Sequence, residues 1–164
     1  MSALYPLNAG NKWTYKMKDN NVFTNEVTKA DNGKYTMFNS MIKKDQFVKI
    51  DGDNYLADNF EEGNFQIFLK ENLKTGDSWE IKYKANSIDN IVVMTVKGTG
   101  STHEVYGKTY NNVVMIEGEM KMNVNGNIMP INYFTQYYYA KGIGLILTTS
   151  SAGDYMGFVS YEIK

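Results

Sequence analysis

Ile116-Glu117-Gly118-Glu119-Met120-Lys121-Met122-Asn123-Val124-Asn125-Gly126-Asn127-Ile128-Met129-Pro130-Ile131 is the stretch that decides the fold. Apolar or small residues alternate with polar ones up to Val124, the period of a strand with one buried side. Asn125-Gly126 then supplies the pair that accepts positive φ at both central positions of a type I′ turn. A two-residue turn there pairs Val124 with Asn127 and fixes the register of the ribbon. One face is expected to carry Met122/Met129, Met120/Ile131, Gly118/Tyr133, Ile116/Thr135 and Val114/Tyr137, and the other Glu117, Glu119, Lys121 and Asn123. Pro130 falls opposite Lys121 at a non-hydrogen-bonded site, where its missing donor costs nothing within the hairpin; on its outer side it predicts an edge or a bulge.

The same unit recurs along the chain. Trp13, Tyr15 and Met17 alternate with Thr14, Lys16 and Lys18 in a first strand. Segments 23–30 and 34–42 flank Asp31-Asn32-Gly33, where a turn sets Asp31 opposite Lys34, Val27 opposite Phe38 and Phe23 opposite Ile42. A third hairpin is expected at Asp51-Gly52, and further strands at 65–69, 78–84, 91–97, 144–149 and 156–163. Residues 57–62 could form one helical turn. Turn signals every ten residues or so, with no sustained 3.6-residue apolar period, predict an all-β protein: an antiparallel, strongly curved sheet or open β-barrel built from successive hairpins. No linker or long repeat divides residues 1–164, which read as a single β-domain.

Composition bounds the function. The 164 residues are 43% hydrophobic and 14% aromatic, ample for a packed core and too apolar for disorder. Seventeen basic residues, all lysine, are interspersed with 18 acidic ones for a net charge of -1, so no nucleic-acid partner is expected. With no cysteine, disulfides, thiolate metal sites and thiol nucleophiles are excluded together. No apolar run approaches the roughly 18 residues of a membrane-spanning helix, so no membrane span is expected. Met1-Ser2-Ala3-Leu4-Tyr5-Pro6 has neither the basic nor the apolar region of an export signal, which leaves a cytoplasmic protein or the mature part of an exported one.

The inventory of reactive groups is short. His103, the sole histidine, lies in the glycine-rich stretch Gly98-Thr99-Gly100-Ser101-Thr102-His103 and reads as an exposed loop residue. A zinc site would need further nitrogen or sulfur ligands that the chain lacks. Asp51-Gly52-Asp53-Asn54 lacks the remaining ligands of an EF-hand in register and reads as a tight turn. Glu61-Glu62 and the pair Glu117 and Glu119 read as solvated surface, and the glycine pairs at 98–100 and 142–144 lack the residues of a phosphate loop. We therefore expect no catalytic residue, no metal and no cofactor. What remains is the aromatic and methionine load. Tyr133, Tyr137 and Tyr139 share one strand face, with Phe134 and Tyr138 on the other. Such a strand is either central in a core or the wall of an apolar groove in which Met120, Met122 and Met129 adapt to a ligand.

Four stretches also resemble a known family. Tyr5-Pro6-Leu7-Asn8-Ala9-Gly10-Asn11-Lys12-Trp13-Thr14-Tyr15, Leu73-Lys74-Thr75-Gly76-Asp77-Ser78-Trp79, Val105-Tyr106-Gly107-Lys108-Thr109-Tyr110-Asn111-Asn112-Val113 and Tyr138-Tyr139-Ala140-Lys141-Gly142-Ile143-Gly144-Leu145-Ile146 are similar, in this order, to the signposts of a family of β-rich, mostly exported Bacteroidota proteins of uncharacterised function, sometimes labelled TapB-like. The resemblance implies an exported protein at the periplasm or cell surface, often a lipoprotein, with a curved sheet or incomplete barrel acting as a binding or accessory domain. It carries over no catalytic residue.

The expected function is thus a non-enzymatic binding or accessory module of the bacterial cell envelope that engages a protein partner. Tyr137, Tyr138 and Tyr139 are its candidate binding residues, because interface hot spots favour tyrosine. The alternatives are an immunity protein that neutralises a secreted toxin, in the cytoplasm or periplasm, and a carrier of a lipid or other apolar ligand inside the barrel. The turn itself is testable at once. Gly126→Val is expected to cost on the order of 1 kcal/mol or more in urea unfolding, because a β-branched residue is poorly accommodated at positive φ.

Overall fold

Twelve antiparallel strands form one sheet in the computed structural model, which describes residues 3–162. They are β1 (Lys12–Met17), β2 (Val22–Asp31), β3 (Lys34–Asn39), β4 (Lys44–Asp51), β5 (Asn54–Ala57), β6 (Gln66–Lys70), β7 (Ser78–Ala85), β8 (Ile88–Val105), β9 (Lys108–Val124), β10 (Asn127–Ala140), β11 (Gly144–Ser150) and β12 (Tyr155–Glu162). There is no helix among the described residues, residues 57–62 included. Ile163 of the last expected strand lies outside them.

The spatial order runs β6-β5-β4-β3-β2-β1-β12-β11-β10-β9-β8-β7. Sequence neighbours pair throughout, except that the first strand pairs with the last and β6 does not pair with β7. The result is a nearly closed barrel with one unsealed seam. Side chains bridge that seam where a ladder would have run. Trp79 Nε1 donates to the Ile67 carbonyl at 2.8 Å, and the Lys82 N–H donates to Gln66 Oε1 at 3.1 Å. Asn64 Nδ2 donates to the Lys82 carbonyl at 3.0 Å, and the Lys84 N–H donates to Glu61 Oε1 at 3.0 Å. Lys70 Nζ lies 5.2 Å above the Trp79 ring.

The Asn125-Gly126 turn forms as its sequence demands, with φ of 53° and 85°, and Val124 faces Asn127 and Met122 faces Met129. Beyond Pro130 the expected register fails. Ile131, Asn132 and Tyr133 bulge out opposite the single residue Met120, so Gly118 pairs with Thr135, Ile116 with Tyr137 and Val114 with Tyr139. The departure is local: it begins directly after Pro130, and Asn132 within it sits at φ 63°. A shift of two residues preserves parity, so Tyr137 and Tyr139 keep their expected face.

A one-residue bulge has the opposite effect in the second hairpin. Asp31 faces Lys34 as expected, but Thr28 is unpaired and Val27 faces Met37, not Phe38. Met37 is therefore 3% exposed and Phe38 36%. Phe23 does not pair with Ile42 either, because β3 ends at Asn39, whose side-chain carbonyl accepts the Met41 and Ile42 N–H groups in the turn to β4. The third hairpin turns on Gly52-Asp53, with Asp51 facing Asn54.

His103 is not in a loop. Residues 88–105 are one long bulged strand, and the far part of the β8–β9 hairpin, past the last β9–β10 pair Val113–Ala140, doubles back over β12 and β1. Tyr106 Oη donates to the Lys16 carbonyl at 2.8 Å and its ring meets Tyr155 edge-on at 5.4 Å. Beneath this tip Gly157 leaves no room. A Cβ there would lie 2.5 Å from Tyr106 Cε2 and 3.0 Å from Val105 Cγ1. The core fills from both halves of the sheet: Trp13, Tyr15, Val27, Leu69, Ile81, Ile116, Ile146 and Phe158 are all fully buried. Trp13 is buried as its alternation requires, whereas Trp79 is only half-buried because it stands on the seam, and Met120 is half-buried beside the bulge.

Gly157→Ala is expected to lift the β8–β9 tip from β12. Thermal or urea unfolding should show a loss of about 1–3 kcal/mol, the range for overpacking. Amide exchange should accelerate selectively over residues 98–112.

Candidate functional site: the barrel interior

Because the strands alternate in direction, the barrel has two different ends. The N-terminal segment and the β2–β3, β4–β5, β6–β7 and β10–β11 connections lie at one, and the β1–β2, β3–β4, β5–β6 and β9–β10 connections at the other. The first end is plugged. The Leu4 N–H donates to Glu71 Oε2 at 2.8 Å, the same oxygen that Tyr55 Oη donates to. The Gly142 N–H donates to the Ala3 carbonyl at 2.8 Å. Asn11 Nδ2 holds the Pro6 carbonyl at 2.6 Å. So tethered, Leu4, Tyr5 and Leu7 are buried, and the Tyr5 ring sits 5.2 Å from Trp13, 6.0 Å from Tyr139, 6.3 Å from Tyr55 and 6.4 Å from Phe68.

Above Tyr5 the interior is not filled. A cavity of about 270 Å³ is walled by apolar and aromatic side chains, among them Met37, Val48, Phe68, Ile81, Met94 and Tyr137, with Tyr5 at its floor. Its polar lining consists of Asn25, Gln46 and Asn59, and no charged side chain lines it. Burial pushes the Tyr5 hydroxyl pKa far above its ordinary value. Tyr15 and Tyr139 are raised by burial first and by the neighbouring Tyr5 second, and Tyr137 is raised by burial. The floor and walls therefore stay neutral across physiological pH. A second, wider cleft of about 500 Å³ lies outside, above the seam, where Glu61, Lys84 and Asp89 mix both signs of charge in the open. There Glu61 is held below the usual carboxylate range, first by the Lys84 N–H and then by Asn64.

The structure distributes the three candidate tyrosines over two surfaces. Tyr139 is buried beside Tyr5, and Tyr137 is half-buried in the cavity wall. Tyr138 is half-buried on the other face, with His103 stacked on it at 4.4 Å. On the same outer side Gln136 Nε2 donates to Glu117 Oε2 at 2.9 Å, Lys97 Nζ lies 3.8 Å from Glu117, and Thr149 Oγ1 donates to Gln136 Oε1 at 2.8 Å. Among the described residues no group of three His, Cys, Asp or Glu side chains could hold a metal ion, and no helix is long and apolar enough to cross a membrane. The polar lining residues escaped sequence reasoning, although one signal was available. Phe23, Asn25 and Val27 share a parity, so a strand that buries its first and third members must turn the second inward too.

No family model and no curated protein matches the chain. Among solved structures it is similar to a Bacteroides fragilis NCTC 9343 protein of YmcC-like fold, proposed to be exported, with TM-score 0.61 and 12% identity over 99% of this chain and 100% of that one. It is also similar to a proposed lipoprotein from Parabacteroides distasonis ATCC 8503, with TM-score 0.54 and 12% identity over 98% and 99%. The hypothetical lipoprotein YmcC from Escherichia coli K12 aligns with TM-score 0.46 and 9% identity over 93% and 85%. At this identity the first two likenesses establish the fold alone.

The buried phenols set an alkaline limit. A tyrosine whose folded pKa lies above its unfolded value of about 10 leaves stability intact below that pH and withdraws it as the pH rises further, because the unfolded chain ionises first. In an alkaline titration Tyr5, Tyr15 and Tyr139 should stay neutral past the point where exposed tyrosines ionise. Their phenolate absorbance should then appear together with the loss of the β-sheet circular dichroism.

Proposed function

We propose that this chain is a non-enzymatic binding module of the bacterial cell envelope, of the TapB-like kind that its sequence resembles, and that it carries a small apolar ligand in the barrel interior. The observation that carries the reading is the cavity above Tyr5, walled by Met, Phe, Tyr and aliphatic side chains and lined by no charge. Interior space of that chemistry is what apolar ligands occupy, and methionine adapts its shape to them. The envelope location draws support from the two similar proteins, one proposed to be exported and the other proposed to be a lipoprotein. The sole histidine lies against Tyr138, away from the cavity lining, which suits a binding role.

A protein partner is a second reading, favoured by one surface. Ile128 and Met129 at the β9–β10 tip are 56% and 52% exposed, next to exposed Val124 and Ile131. A partner would meet that apolar tip in preference to the tyrosines, two of which face inward.

Native mass spectrometry of protein purified from a bacterial periplasm tests the carrier reading. A discrete added mass is expected on the wild type. It should be lost in Met94→Trp, which fills the cavity, while cooperative thermal unfolding shows that the variant still folds. No added mass on the wild type, or the same added mass on both proteins, would overturn the reading.

A further inference from the structure

On the premise that the interior is a ligand site, its entrance can be located. The β5–β6 connection, residues 58–64, supplies Asn59 and Phe60 to the cavity lining and also reaches across the seam to β7. Side chains hold it there, with no backbone ladder between β6 and β7. The Phe60 ring lies 5.1 Å from that of Tyr83, Glu61 Oε1 accepts the Lys84 N–H at 3.0 Å, and Asn64 Nδ2 donates to the Lys82 carbonyl at 3.0 Å. Both hydrogen bonds are exposed, so water can take over either partner at small net cost.

The same segment is a unit in itself. Asp58 Oδ2 accepts the Gly63 N–H at 3.0 Å, the Glu61 carbonyl accepts the Asn64 N–H at 3.0 Å, and Gly63 takes φ 79°. These bonds are internal and survive when the segment leaves β7. It also has room to move. On the side away from β7, Asp58, Asn59 and Glu62 face an open cleft of about 500 Å³ shared with Ile42, Lys44 and Gln46. Beneath it, Tyr83, which Phe60 touches, has the strand parity of Ile81, a fully buried residue of the cavity wall.

We propose that residues 58–64 are the lid of the cavity: the segment swings off β7 toward the start of β4, and ligand enters through the seam between β6 and β7. Lifting Phe60 uncovers the wall at Ile81 and Phe68 and leaves the paired strands unchanged. Segments held by few exposed contacts are the ones that open without global unfolding.

The chain has no cysteine, so one introduced thiol reports access to one site. Ile81→Cys places it in the cavity wall and Val113→Cys in the buried core away from the lining. Each is labelled with methyl methanethiosulfonate, which is small and neutral, over a range of low urea concentrations. The Ile81→Cys thiol should react more slowly than a free thiol, yet faster than global unfolding allows and almost independently of urea, since a local opening exposes little surface. Adding Glu61→Ala and Asn64→Ala should speed it about tenfold. Val113→Cys should react only through global unfolding, read from its urea stability. Reaction of Ile81→Cys at the global rate, at the free-thiol rate, or without acceleration by the two lid substitutions would overturn the lid. If Ile81→Cys does not fold, Met94→Cys reports on the same cavity. No ligand takes part in the measurement, so the lid and the carrier reading fail separately: the first on these rates, the second on the added mass.

Discussion

The pairing of β1 with β12 is the constraint on which the rest of the molecule depends. In an ordinary meander the first and last strands are the edges; here they are joined, so the opening falls in mid-chain, between β6 and β7. Two free edges facing one another would present unpaired N–H and C=O groups, an invitation to strand addition. The sequence answers with side chains that imitate a ladder. Gln66 and Glu61 take the N–H groups of Lys82 and Lys84, Asn64 takes the Lys82 carbonyl, and Trp79 takes that of Ile67. A seam bridged this way has no backbone ladder to close it. Phe68 on one side of it and Ile81 on the other both line the cavity, so the interior space and the unsealed seam are two views of the same incomplete closure.

Which side chains reach that space depends on the parity of the bulges. The single extra residue at Thr28 turns Met37 into the cavity and Phe38 out of it. The double bulge after Pro130 moves every later pair by two positions yet leaves Tyr137 and Tyr139 facing inward. Sheets count in twos, so an odd insertion exchanges faces and an even one only slides the strand.

That arithmetic also explains what could be read from the chain. Asn125-Gly126, Asn32-Gly33 and Asp51-Gly52 mark their turns through local backbone preference, and the all-β, curved, hairpin-built architecture follows from them. The pairings near each turn follow as well. Errors begin where a bulge intervenes, because Thr28 and Ile131–Tyr133 have no side chain that announces an unpaired residue, although Pro130 warns of one. His103 was misplaced for a related reason: Gly98 and Gly100 suggest a loop, but a long strand can bend at such residues and continue. The cavity is further from reach, since it requires knowing that β1 meets β12 and that the Leu4–Leu7 segment turns inward, both contacts between distant parts of the chain. Asn25 shows the limit. Its parity said that it faces inward, while its polarity said surface, and only the open interior reconciles the two.

The depth of the cavity is set by the N-terminal segment, not by the circumference of the barrel. Tyr5 is its floor, and Tyr5 is held there by backbone groups on either side of it: the Leu4 N–H on Glu71, the Ala3 carbonyl under Gly142, and the Pro6 carbonyl on Asn11. Its own hydroxyl contributes little, with the Met37 sulfur 4.0 Å away as partner. The tethering and the lining are therefore separate functions of one short segment. The anchors use main-chain atoms, which any sequence supplies, and the floor uses one side chain, which substitution can change without disturbing the anchors. The depth of the cavity is accordingly governed at a single position, whereas the neutrality of its lining is distributed over strands from both halves of the sheet.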